Sequence, residues 1–157
     1  MSRNRFRVLA LCLSLGVAVP LWAADDEQQK IPRHPAVAGA DWTAVTSVVV
    51  ELDDNNYEPN ELSFKWGKPY KLVLKNRGGA AHDMVGGSFF AKDVIALYMV
   101  NSKVGRVTAD DVSSIYIRPK NETEVWFVPV KKGAYDFFCS IPGHREAGME
   151  GNIKIVD

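Results

Sequence analysis

Three metal-capable side chains crowd one short stretch near the C-terminus: Cys139, His144 and Met149, spaced Cys-x4-His-x4-Met. Thiolate and thioether are soft donors and imidazole is borderline, so this trio suits copper better than magnesium, calcium or a closed tetrahedral zinc site. Each residue alone has an ordinary explanation, because cysteine and methionine fill cores and a lone histidine is commonly structural. Together on one loop, with Pro142-Gly143 and Gly148 at its turns, they make a metal grip. One further imidazole would complete two imidazoles, a thiolate and a weak axial thioether, a donor set for one-electron copper chemistry.

The loop needs strands to hold it, and the flanks supply them. Tyr135, Phe137 and Cys139 alternate along the run before it, and Ile153 and Ile155 along the run after it. Upstream, Val45 to Leu52 is rich in β-branched residues, Tyr57 to Trp66 and Tyr70 to Asn76 alternate apolar with polar, and Ile115 to Ile117 and Glu122 to Val130 resume the pattern. Asp53 to Asn56, Gly67-Lys-Pro69 and Lys131-Lys-Gly133 are turns. The expected fold is all-β, a Greek-key β-sandwich or barrel of about seven or eight strands. Its core is expected to hold Val48, Val50, Leu62, Phe64, Leu72, Leu74, Ile117, Val125, Phe127, Tyr135, Phe137 and Ile153.

With these flanks, the Cys139 to Met149 segment resembles the C-terminal signature of the cupredoxins, the plastocyanin and azurin family, in which Cys, His and Met bind copper from the loop before the last strand. The resemblance runs from about Val48 to Asp157, interrupted once. A Pro-bearing strand, a Gly turn, a strand ending in Asn76 and then His82 is similar to the family's approach to its first copper histidine. Beyond residue 23 the chain has only His34, His82 and His144, so His82 is expected as the fourth ligand, its ordinary alternative being a loop cap. The resemblance implies a type 1 copper site of His82, Cys139, His144 and Met149, the last as weak axial ligand. It further implies that Asp83 ties the two ligand loops together near Ser140 and that the carbonyl of Ala81 approaches the metal from the far side.

The interruption spans Met84 to about Ser114. Ser88 can cap a helix, and Phe90, Val94, Leu97 and Tyr98 recur at helical spacing up to Asn101, so a short helical insertion is expected. Met84 and Met99 offer thioethers for gathering copper, or simply pack.

Residues 1–23 read as a cleaved export signal: Arg3, Arg5 and Arg7 precede an apolar run that is too short to span a bilayer comfortably and ends in Pro20-Leu-Trp-Ala23. Residues 24–41 have no apolar period and are expected to form a flexible leader, with His34 as a solvated tail residue or an auxiliary copper contact. The domain proper is placed at 42–157. Beyond the signal, sixteen basic residues face nineteen acidic ones, a net of −3, and no basic cluster marks a nucleic-acid surface. Removing the signal takes Cys12 and leaves Cys139 without a disulfide partner, a liability in an oxidising compartment unless it is buried or ligated. A periplasmic monomer is expected, with no membrane attachment and with a redox or copper-transfer protein as partner.

Two enzymatic alternatives fare poorly. A hydrolase using Cys139 with His144 or His82 leaves Met149 unexplained and shows no nucleophile elbow. A multicopper oxidase needs more histidines than the domain holds. The long insertion and the Cys-x4-His-x4-Met loop are similar to small periplasmic cupredoxins of copper tolerance, with an electron shuttle as the alternative.

Overall fold

Period-two alternation of apolar residues builds two sheets, which the computed structural model describes for residues 33–103, 105–107 and 112–157. The expected signal, the leader up to residue 32 and the segment 108–111 lie outside the described residues. In the first sheet, β1 (Thr46–Asp53) pairs with β2 (Asn56–Glu58) and, in parallel, with β4 (Tyr70–Asn76). Next comes β9 (Glu122–Pro129), with Val125 opposite Leu72, and then β6 (Ile95–Ser102) and β7 (Gly105–Val107). The second sheet runs β3 (Glu61–Lys65), β11 (Glu150–Val156), β10 (Gly133–Phe138), β5 (His82–Val85) and β8 (Ser114–Ile117). These are eleven strands among the described residues, more than expected, because short pairing segments and the insertion all contribute.

Each strand buries alternate residues against the opposite sheet. Phe64 sits at the centre, edge-on to Tyr70 at 4.8 Å and Phe127 at 5.2 Å and stacked on Phe89 at 5.9 Å. The expected core is the observed one, except that Val48 and Tyr135 lie at its margin, half-buried. Much of what the alternation did not reveal comes from the insertion: Phe89, Phe90, Val94, Ile95 and Leu97 are all buried.

The insertion is not helical. Phe90 to Val94 is a series of turns, and the rest of the proposed helix is strand β6, paired with β9 along its whole length. Two features disguised it. Tyr98 is the extra residue of a bulge between Leu97 and Met99, which breaks the period of two and leaves a spacing that mimics a helix. Moreover, both faces of β6 are covered, so its sequence is a continuous apolar run, in which strand and helix look alike.

The outer cover comes from the leader, whose last part is ordered rather than loose. Helix α1 (Pro35–Ala38) is capped by His34, whose Nδ1 accepts from the Ala36 N–H at 3.1 Å. Val37 packs with Ala96 and Val128, Trp42 stacks on Tyr98 at 4.5 Å, and the Trp42 indole N–H donates to the Val37 carbonyl at 3.1 Å. A Pro-started turn has too little intrinsic stability to persist alone, so these aromatic contacts hold it. Among the described residues, no helix is long and apolar enough to cross a membrane.

Candidate metal centre

Strand register brings the donors together. β10 and β11 are antiparallel with Phe138 opposite Glu150, so Cys139 and Met149 leave the sheet side by side, and the Cys139 N–H donates to the Met149 carbonyl at 3.0 Å. β5 meets β10 through Val85 opposite Phe138; continuing that register sets Asp83 beside Ser140 and places His82 at the same end of the sandwich. Between Cys139 and Met149 the chain makes a tight double turn. The His144 N–H donates to the Ile141 carbonyl at 3.0 Å, and the Met149 N–H to the His144 carbonyl at 2.9 Å. Gly143 and Gly148 supply positive φ, +86° and +99°, where a side chain would be strained.

The result is a cluster of His82, Cys139 and His144 whose ligating atoms all lie within 4.8 Å of one another. The two Nδ1 atoms are 3.2 Å apart, and Cys139 Sγ is 3.4 Å from His144 Nδ1. Donors standing about 2.0–2.3 Å from one small ion take separations of this order. Cys139, His82 and Met149 are fully buried, while His144 is partly exposed at the loop tip beside exposed Pro142 and Gly143. Met149 packs in the same buried cluster as Cys139.

Behind this cluster lies a set of fixed polar contacts. Asp83 accepts from the Ser140 N–H at 2.7 Å and from the Ser140 hydroxyl at 2.5 Å, clamping the strand that carries His82 to the loop that carries Cys139. Tyr57, which sequence reasoning left unassigned, donates its hydroxyl to the Asp83 carbonyl at 2.5 Å and packs edge-on against Phe137. Asn76 donates to the carbonyls of Ala80 and Ile117 at 2.9 and 3.0 Å, pinning the turn that leads to His82. A Tyr or Asn in an alternating strand carries no mark of such a role; only its register against the ligand strands does. Ala81 stands immediately before β5, next to His82.

Burial dominates the electrostatics of the cluster. Burial pushes the Cys139 thiol up from its ordinary range, and burial likewise raises the Tyr57 phenol, with Cys139 and Asp83 adding to it. Burial and then the charge of His144 hold His82 below the usual imidazole value, against the opposing pull of Asp54, Asp53 and Asp83. A nucleophilic cysteine needs a stabilised thiolate within reach of substrate, whereas Cys139 is 0% exposed.

The other candidate donors each have a structural place of their own. His34 caps its own helix at the surface, Met84 is buried in the core, and Met99 is buried in β6. The insertion therefore contributes packing, through Met84 and its buried aromatic residues Phe89 and Phe90.

A two-sheet β-sandwich with histidine, cysteine and histidine converging at one end defines a cupredoxin. The family model of the cupredoxin-like domain matches residues 15–153, and the chain belongs to that family. It is similar to the copper-resistant cuproprotein CopI of Pseudomonas aeruginosa, 26% identical over 157 residues, covering 81% of this chain and 87% of that protein. It is also 26% identical to the CopI of Rubrivivax gelatinosus over 111 residues, 68% of this chain and 64% of that protein. Among solved structures, the reduced auracyanin of the photosynthetic bacterium Roseiflexus castenholzii shares the fold with a TM-score of 0.51, at 20% identity, over 76% of this chain and 100% of the other.

Proposed function

We propose that the protein is a periplasmic type 1 copper protein supporting copper tolerance. His82 Nδ1, Cys139 Sγ and His144 Nδ1 would hold the metal, with the Met149 thioether as a weaker donor and the Ala81 carbonyl as a further contact. The observation that carries this reading is the buried meeting of one thiol and two imidazole Nδ1 atoms, in a chain whose relatives are copper-resistance cuproproteins. Bound there, copper supplies one-electron exchange between Cu(I) and Cu(II).

The chain's part is to hold still. Asp83 and Ser140 lock the two ligand loops together, the Cys139 to Met149 backbone bond fixes the loop base, and burial excludes water from the thiol. A donor set held by strand register and backbone hydrogen bonds need not rearrange when charge changes. The protein acts as a monomer without enzymatic turnover, and His144, at the partly exposed tip, is its point of electrical contact with a redox or copper-transfer partner.

That opening also favours an electron shuttle as the second reading. Deleting the gene and titrating copper in the growth medium separates the two. Tolerance predicts growth arrest at lower copper; unchanged copper sensitivity together with a respiratory defect at low copper would reverse the assignment.

Met149→Leu is expected to keep copper bound and to raise the reduction potential, because an axial thioether bonds weakly and losing a donor favours the less charged Cu(I). Cyclic voltammetry and metal analysis of the purified variant check this. A variant purified without copper would mean that Met149 is a strong ligand.

A further inference from the structure

The turn between β1 and β2, Asp53 to Asn56, contributes nothing to the core, yet it approaches the metal centre from behind. His82 directs Nδ1 toward Cys139 and His144, so a neutral, ligating ring carries its proton on Nε2. That Nε2 is buried, and among the described residues it is a buried side-chain polar atom without a hydrogen-bond partner. An unsatisfied buried donor costs about 1–3 kcal/mol, and ligating histidines almost always give their second N–H to a carboxylate, a carbonyl or water.

Gly78 reveals what faces this atom. A methyl group at Gly78 would stand 3.2 Å from His82 Nε2, 3.1 Å from Asp54 Oδ1 and 3.3 Å from Asn76 Oδ1, so three polar atoms border the notch that the missing side chain leaves. Asn76 Oδ1 already accepts the Gly78 N–H at 2.9 Å, and its amide nitrogen is committed to the carbonyls of Ala80 and Ile117. Asp54 is the carboxylate at the notch, and its Oδ1 faces His82 Nε2 across Gly78 with no side chain between them.

We propose that Asp54 is a positioning residue of the metal centre, whose carboxylate attracts the Nε2–H of His82 across the Gly78 notch. It fixes the imidazole ring and raises the basicity of Nδ1, favouring the oxidised metal. This rests on the reading of His82 as a copper ligand.

The test compares Asp54→Ala, Asp54→Asn and Asp54→Glu with Asp53→Asn in the full copper-loaded protein. Asp53 is the control because it carries the same charge on the same exposed turn but does not border the notch. Asp54→Ala and Asp54→Asn are expected to raise the reduction potential well beyond Asp53→Asn, and Asp54→Glu to restore part of the difference. In the diamagnetic Cu(I) form, Asp54→Ala should speed exchange of the His82 Nε2–H with solvent, because the carboxylate that attracts the proton is gone. A coloured wild type whose Asp54 and Asp53 variants shift the potential equally, with unchanged proton exchange, overturns this proposal alone. A wild type lacking copper–thiolate colour overturns the metal-centre reading and this proposal with it.

Discussion

Replacing Cys139 by serine is expected to abolish the visible charge-transfer absorption of the copper-loaded protein while leaving the sandwich folded. The colour requires a thiolate on the metal, and no second cysteine is present beyond residue 23 to supply one. The fold does not require the sulfur. The hydrogen bond that sets the loop base joins the Cys139 backbone N–H to the Met149 carbonyl and survives the change, and so do the Asp83 clamps on Ser140. Serine is slightly smaller, and its hydroxyl can turn toward the His144 imidazole, which Sγ approaches to 3.4 Å. Destabilisation of the metal-free protein should therefore stay within about 1–2 kcal/mol. Absorption and circular dichroism on one sample check both halves. Retained colour would sink the ligand assignment, and lost structure would show that Cys139 is a core residue first.

Phe64→Ala should give the opposite pattern, a large loss of stability with the colour retained when the protein is folded. Phe64, on the second sheet, is wholly buried and touches rings of the first sheet, Tyr70 and Phe127, and of the insertion, Phe89. Removing a ring from such a place forfeits its burial and leaves a cavity that strands in register cannot collapse around, at about 3–5 kcal/mol. Thermal unfolding should then shift down by on the order of 10–20 °C. The metal-free form is the one to compare, since bound copper adds stability by mass action and masks part of the loss. A loss below about 1 kcal/mol would mean that the aromatic cluster does not bind the two sheets together.

These two substitutions separate what sequence alone determines here from what folding decides. Cys139, His144 and Met149 are legible because they are local: soft donors confined to one loop between two alternating runs make a constellation that needs no tertiary information. The inward faces of β3, β4, β9 and β11 are legible for a similar reason, since a strand with one buried face writes a period of two into its residues. Where both faces are buried, that writing is lost. β6 carries helix-like spacing because residues of the leader cover its outer side and a bulge at Tyr98 breaks its period, and neither fact is visible within the segment itself. The surroundings of the ligands were decided by register between strands far apart in the chain. Asp83 meets Ser140 because β5 pairs with β10, Tyr57 reaches the Asp83 carbonyl from the opposite sheet, and Asp54 borders the notch beside His82 because Gly78 has no side chain to close it. Donor identity is a property of residues and their spacing, whereas the contacts that orient the donors arise between residues 26 or 57 positions apart, and only tertiary structure brings such pairs together.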